Sequence, residues 1–160
     1  SNGDTKPVAW LDLDAAYDCS TTLIAQSEII DVRVACWCMV KVSAYGDTAY
    51  GVNASGGIAF DVIDAAKGTT VHDRSVSDSA MVHAEIWGTN NANVFGATTS
   101  NIARVTGLTK GRTYTVRTRR LRRGYAHDGN DNQITMPAKG WWRTEISDTR
   151  LNVTLVADPI

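Results

Sequence analysis

The stretch IDVRVACWCMVKVS, Ile30 to Ser43, alternates without a break. Val32, Val34, Cys36, Cys38, Val40 and Val42 fall on one side of an extended chain, and Arg33, Ala35, Trp37, Met39, Lys41 and Ser43 on the other. Successive side chains of a strand point to opposite faces, so a period of two places this segment in a sheet with its valine-cysteine face in the core. The same period recurs along the chain, and no stretch of about ten residues carries a helical stripe. Strands are predicted at 8–13, 50–54, 57–63, 70–73, 80–87, 102–106, 112–122, 133–136, 141–146 and 150–157. Between them lie turn signals: YGD, ASGG, AKGT, GTNNAN, LTKGR, DGNDN and PAKG. Many strands joined by short polar turns predict an all-β protein, an antiparallel β-sandwich of jelly-roll type.

At 160 residues the chain has the size of one domain and can bury about two thirds of its unfolded surface. Residues 1–27 read as an N-terminal segment with the first strands, packed on or leading into the sandwich; residues 28–160 read as the sandwich itself. The charge balance is 16 basic against 17 acidic residues, net -1. That balance argues against a protein that holds nucleic acid by electrostatics. No apolar window of about 18 residues predicts a membrane-spanning helix. The opening SNGDTKPVAW lacks the apolar run of a signal peptide, and its SNG reads as a cleavage scar or a fragment boundary.

Cys19, Cys36 and Cys38 cannot all pair within one chain, and Cys36 and Cys38 sit two apart on one strand face at the outer limit for a bridge. They read as reduced core residues of a protein folded in a reducing cytoplasm. His72, His83 and His127 stand outside any zinc-ligand spacing, so no metal is expected, and no cofactor motif occurs. The oxygen donors of HDGNDNQ, His127 to Gln133, lack the acidic ladder and terminal Glu of an EF-type loop and read as a solvated hairpin tip.

YTVRTRRLRRG, Tyr114 to Gly124, carries five arginines in eleven residues. Tyr114, Val116 and Thr118 share one face, while Arg117 and Arg119 point outward on the other. Leu121 then falls on the arginine face and Arg120 on the apolar one, which predicts a bulge and a projecting hairpin arm beyond Thr118. A row of exposed arginines usually meets carboxylates, with Glu145, Asp148 or another subunit as the expected partners. Nucleic-acid binding is not expected, because no stacking aromatics interleave the row.

The chain has no G-x-S-x-G, no H-E-x-x-H and no glycine-rich phosphate loop. His83 and Glu85 share a strand face, but with Met81 and Trp87 beside them that face reads as buried packing. A non-enzymatic protein is expected. Two strands carry apolar residues on both faces, so Trp37, Met39, Met81 and Trp87 are expected at an oligomer interface. Ligand-binding candidates are Arg117, Arg119 and Arg122, with Asn90, Asn91 and Asn93 of a GTNNANVFG loop and Asp128 and Asn130 of the hairpin tip. The buried core is expected to include Val32, Val34, Cys36, Cys38, Val82, Ile86, Val116, Leu151, Val153 and Leu155.

SEIIDVRVACWCMVKVS as a long early strand, VTGLTKGRTYTVRTRR as a turn into a long late strand, and TRLNVTLVADPI as a closing strand resemble the jelly-roll domains that end tail and fibre proteins of tailed bacteriophages. Minor tail proteins of actinobacterial phages are the form in view, and the likeness covers residues 28–158. It implies a virion protein assembled in the host bacterial cytoplasm, in contact with other virion proteins. Heads of that class are commonly homotrimers that bind a host surface, usually a glycan. Two other readings stand beside it: a carbohydrate-binding module of a bacterial enzyme, with Trp141 or Trp142 as sugar platform, and a capsid decoration protein. Adjacent tryptophans on a strand face opposite ways, so only one of the two can be such a platform.

Overall fold

The computed structural model describes residues 11–12, 19–73 and 80–158. They form eight strands: β1 (Leu11–Asp12), β2 (Ser20–Ile24), β3 (Ile30–Asp64), β4 (Thr70–His72), β5 (Ala80–Val105), β6 (Thr113–His127), β7 (Gln133–Ile134) and β8 (Trp141–Leu155). All pairings are antiparallel within one sheet, and no helix occurs among the described residues. Apart from β1, the strand predicted at 8–13 lies outside the described residues.

β3 runs for 35 residues with one interruption in its pairing to β5. Tyr45 pairs with Asn90 and Tyr50 with Gly88, so the YGD segment is an out-of-ladder bulge rather than a hairpin turn. Gly46 (φ 146°) and Gly88 (φ 150°) take backbone conformations that side chains rarely permit. The Tyr50 hydroxyl fastens the bulge: it accepts from the Tyr45 amide at 3.0 Å and donates to the Tyr45 carbonyl at 3.1 Å.

On either side of this break β3 has different neighbours. Its first half, Ile30 to Ser43, is flanked by β8 and by the second half of β5, and its second half, Gly51 to Asp64, by β6 and the first half of β5. β2 continues beyond β6. The two halves of the sheet face each other. A Cβ placed on Gly56 would overlap Thr144 Cγ2 and reach 3.0 Å from Cys38 Sγ, and one placed on Gly124 would fall within the Trp142 ring. Between these rows lies one core of Val32, Val34, Cys36, Cys38, Val40, Val52, Ile58, Val82, Ile86 and Val116, none more than 6% exposed.

Most of the predicted core is therefore in place, with a correction at β8. Leu151 and Val153 are only partly buried and Leu155 is 38% exposed, because among the described residues β8 pairs with β3 alone and so forms the outer strand of its layer. Two predicted turns are also corrected. ASGG lies inside β3, where Ala54 to Gly57 pair with β5 and β6 on both sides, and GTNNANVFG lies inside β5, laddered to β3 from Tyr45↔Asn90 to Met39↔Gly96. Small and polar residues here meet close layer contact and solvent, and a continuous ladder outweighs their turn propensity.

None of the three cysteines forms a disulfide among the described residues, and Cys36 and Cys38 are buried. Burial pushes the Cys38 thiol up to about 12, and neighbouring Cys36 adds to the shift. Because the thiolate is the reactive species, native protein at pH 8 should show slow labelling of both. Rapid modification of Cys36 and Cys38 before any denaturant is added would contradict this placement.

Candidate functional site

The second half of β3 has small or short polar residues along its outer face: Gly51, Asn53, Ser55, Gly57 and Ala59. Trp87, Glu85, His83 and Met81 of β5 stand opposite the first four of them on one side, and His127, Tyr125, Arg123 and Leu121 of β6 on the other. The low central strand lets longer side chains from both walls reach over it. A Cβ at Gly51 would overlap the His127 imidazole, so glycine is what allows that ring to lie across the floor.

Polar contacts tie the walls to the floor. Asn53 Nδ2 donates to the Tyr125 hydroxyl at 2.9 Å, and Ser55 Oγ lies 2.8 Å from His83 Nδ1. His127 is 4% exposed, with its ring 5.7 Å from the Trp87 ring and 6.0 Å from that of Tyr125. Its Nδ1 donates to the Asp128 carbonyl at 3.1 Å. Glu85 is bracketed by two imidazoles, His83 Nε2 at 3.7 Å and His127 Nε2 at 3.9 Å. Two buried atoms, Asn53 Oδ1 and His127 Nε2, have no hydrogen-bond partner. Trp87 itself is 47% exposed, and His83 and Glu85 are exposed beside it. The face predicted to be buried packing is thus a polar trough with an open indole, and the reason is the shortness of the central strand's side chains.

The arginine strand differs from its prediction. β6 keeps one register against β3 from Tyr114 to His127, with no bulge and no projecting arm, since β3 flanks it on one side and β2, β1 and β7 on the other. The carboxylate that meets the row is Asp61, not Glu145 or Asp148: Arg119 Nε donates to it at 2.7 Å and Arg117 Nε at 3.4 Å. Glu145 pairs with Lys41 and Arg143, and Asp148 with Arg150. Arg122 does not share the face of Arg117 and Arg119. It lies over the Trp142 ring at 5.7 Å on the inner side, its aliphatic stem suiting that place.

The other candidates are not gathered into one site. Asn90, Asn91 and Asn93 are exposed along β5, with Asn91 Oδ1 accepting from the Ala92 amide. Asp128 organises the hairpin tip, accepting from the Asn130 and Asn132 amides at 2.8 and 3.0 Å, while Asn130 is exposed. Trp37 and Met39 lie on the outer face of the first half-sheet, Met81 and Trp87 on that of the second, so they form two separate surfaces. Trp141 is 47% exposed and Trp142 partly buried against the core, as adjacency requires. Among the described residues no group of three or more His, Cys, Asp or Glu is placed to hold a metal ion.

Two half-buried carboxyls are held below the usual carboxylate range. The hydrogen bond from Arg104 lowers Asp31, and the amides of Asn132 and Asn130 lower Asp128. A depressed folded value gives stability that is present above the unfolded value of about 3.9 and lost as pH falls through the folded one. The unfolding temperature should hold steady from neutral pH to about 5 and fall below about 4. Asp31→Asn together with Asp128→Asn should flatten that fall, and an unchanged acid limb in the double variant would assign it to other carboxylates.

The fold and trough define an all-β, antiparallel sheet protein with an aromatic-edged polar face. No family model matches the chain, and no curated protein matches it either.

Proposed function

We propose that the chain is a non-enzymatic virion protein of a tailed bacteriophage, a jelly-roll head at a fibre or tail tip that binds a glycan on the host surface. The observation that carries this reading is the half-exposed Trp87 in a wall with Glu85 and His83, beside a floor of Asn53 and Ser55. Sugars present an apolar ring face to an indole and hydroxyls to planar polar groups, and this trough offers both.

Strand order supports the jelly-roll assignment. One half-sheet runs β8, first half of β3, second half of β5; the other runs first half of β5, second half of β3, β6, β2. A jelly roll arises when a long hairpin folds over and deals its strands alternately to two layers, and this order follows that scheme. A homotrimer is the assembly proposed with it, Trp37 and Met39 supplying a second outer surface for subunit contact. Native mass spectrometry at micromolar concentration should give a trimer. A stable monomer would favour a carbohydrate-binding module, which the same trough also fits.

Trp87→Ala should weaken adsorption to host cells, or binding to their purified surface polysaccharide, by about tenfold or more. Circular dichroism should show the fold intact. Binding equal to that of the unaltered protein would remove the trough from the account.

A further inference from the structure

We propose that the glycan taken at Trp87 carries a primary ammonium group, as an unacetylated amino sugar does, and that Glu85 is its counter-ion. This rests on the glycan reading above and names the ligand's chemical class. The trough is rich in acceptors. Glu85 meets only the two imidazoles, at 3.7 and 3.9 Å, among the described residues, and both lie beyond hydrogen-bond length. The Asp128 carbonyl can only accept, so His127 Nδ1 carries a hydrogen, while Nε2, turned toward Glu85, has no hydrogen-bond partner. Asn53, 6% exposed, spends Nδ2 on Tyr125 and leaves Oδ1 unpartnered.

An ammonium group has three donors, no acceptor and a positive charge, the complement of the exposed Glu85 carboxylate, while the unpartnered Asn53 Oδ1 and His127 Nε2 lie buried beneath it. Beside an open indole face such a charge is also attracted by the ring. The basic residues do not offset the Glu85 charge: Arg117 and Arg119 are held by Asp61, and Arg123, opposite Ser55, already has a partner. An acidic sugar would meet the Glu85 carboxylate instead.

Titration calorimetry of the full chain at pH 7 with three trisaccharides tests this: glucosamine, N-acetylglucosamine and galacturonic acid. The glucosamine trimer should bind at least tenfold more tightly than the N-acetylated one, the galacturonate trimer should bind least, and Glu85→Gln should bring the first ratio close to one. Equal or tighter binding of the N-acetylated trimer would overturn the ammonium inference and keep the glycan reading. Binding of none of the three would count against both. If cadaverine binds as tightly as the glucosamine trimer, or if chelator abolishes binding, charge alone or a metal ion explains the site and the inference fails.

Discussion

Asp61→Ala should cost about 3 to 5 kcal/mol of stability, the usual result of removing one partner from a buried ionic cluster. Asp61 is 2% exposed in the second half of β3, with Arg119 donating at 2.7 Å and Arg117 at 3.4 Å. The Arg119 side chain is itself only 14% exposed, so the alanine variant strands a guanidinium where water reaches poorly. Asp61→Asn keeps an acceptor in place and should cost less than alanine, and the gap between the two measures how much the oxygen contributes without its charge. Chemical denaturation at low and high salt separates this cluster from surface pairs. A buried pair is screened little, so the loss should change little with added salt, whereas Arg150 and Asp148, both well exposed, should contribute about 1 kcal/mol at most. A loss below about 1 kcal/mol for Asp61→Ala would mean that the arginines do not depend on Asp61, and Arg117 and Arg119 would return as ligand-binding candidates.

The two halves of β3 explain how much could be read from sequence. Ile30 to Ser43 alternates cleanly because its outer face is partly solvated, and a period of two survives wherever one face meets water. From Tyr50 to Val62 every residue is buried, so hydrophobicity no longer separates the faces. Gly51, Asn53, Ser55, Gly56 and Gly57 then resemble turn chemistry although close approach of other side chains is what selects them. His127 lies across Gly51, Ser55 bonds His83, and Gly56 faces the opposing layer. The site was legible to the same extent. His83, Glu85 and Trp87 share a face by spacing alone, but bringing Asn53 and His127 to them needs the registers Asn53↔Glu85 and Gly51↔His127, which no local pattern encodes. At Leu121 the alternation misled, since a buried leucine among arginines reads as a slip of register when the ladder runs straight through it.

Gly56→Ala tests the closure of the sheet, on which both the core and the trough depend. Alanine normally stabilises a strand relative to glycine by about 0.5 to 1 kcal/mol through the unfolded chain. Here the added methyl would overlap Thr144 Cγ2 and approach Cys38 Sγ to 3.0 Å, from the opposite layer. Neither neighbour is the far end of a flexible chain: Thr144 is β-branched on β8, and Cys38 is fully buried on β3. The layers must part or the rotamers must strain, and overpacking of this kind costs about 1 to 3 kcal/mol, so after the gain the net effect should be a loss of about 1 kcal/mol. Thr144→Ser removes the offending methyl and retains the hydroxyl. In a double-mutant cycle it should recover a large part of the Gly56→Ala loss, a coupling that separate sites do not show. Additive effects would mean that Gly56 and Thr144 do not face each other, and with them the assignment of β8 and the second half of β3 to opposing layers would fall.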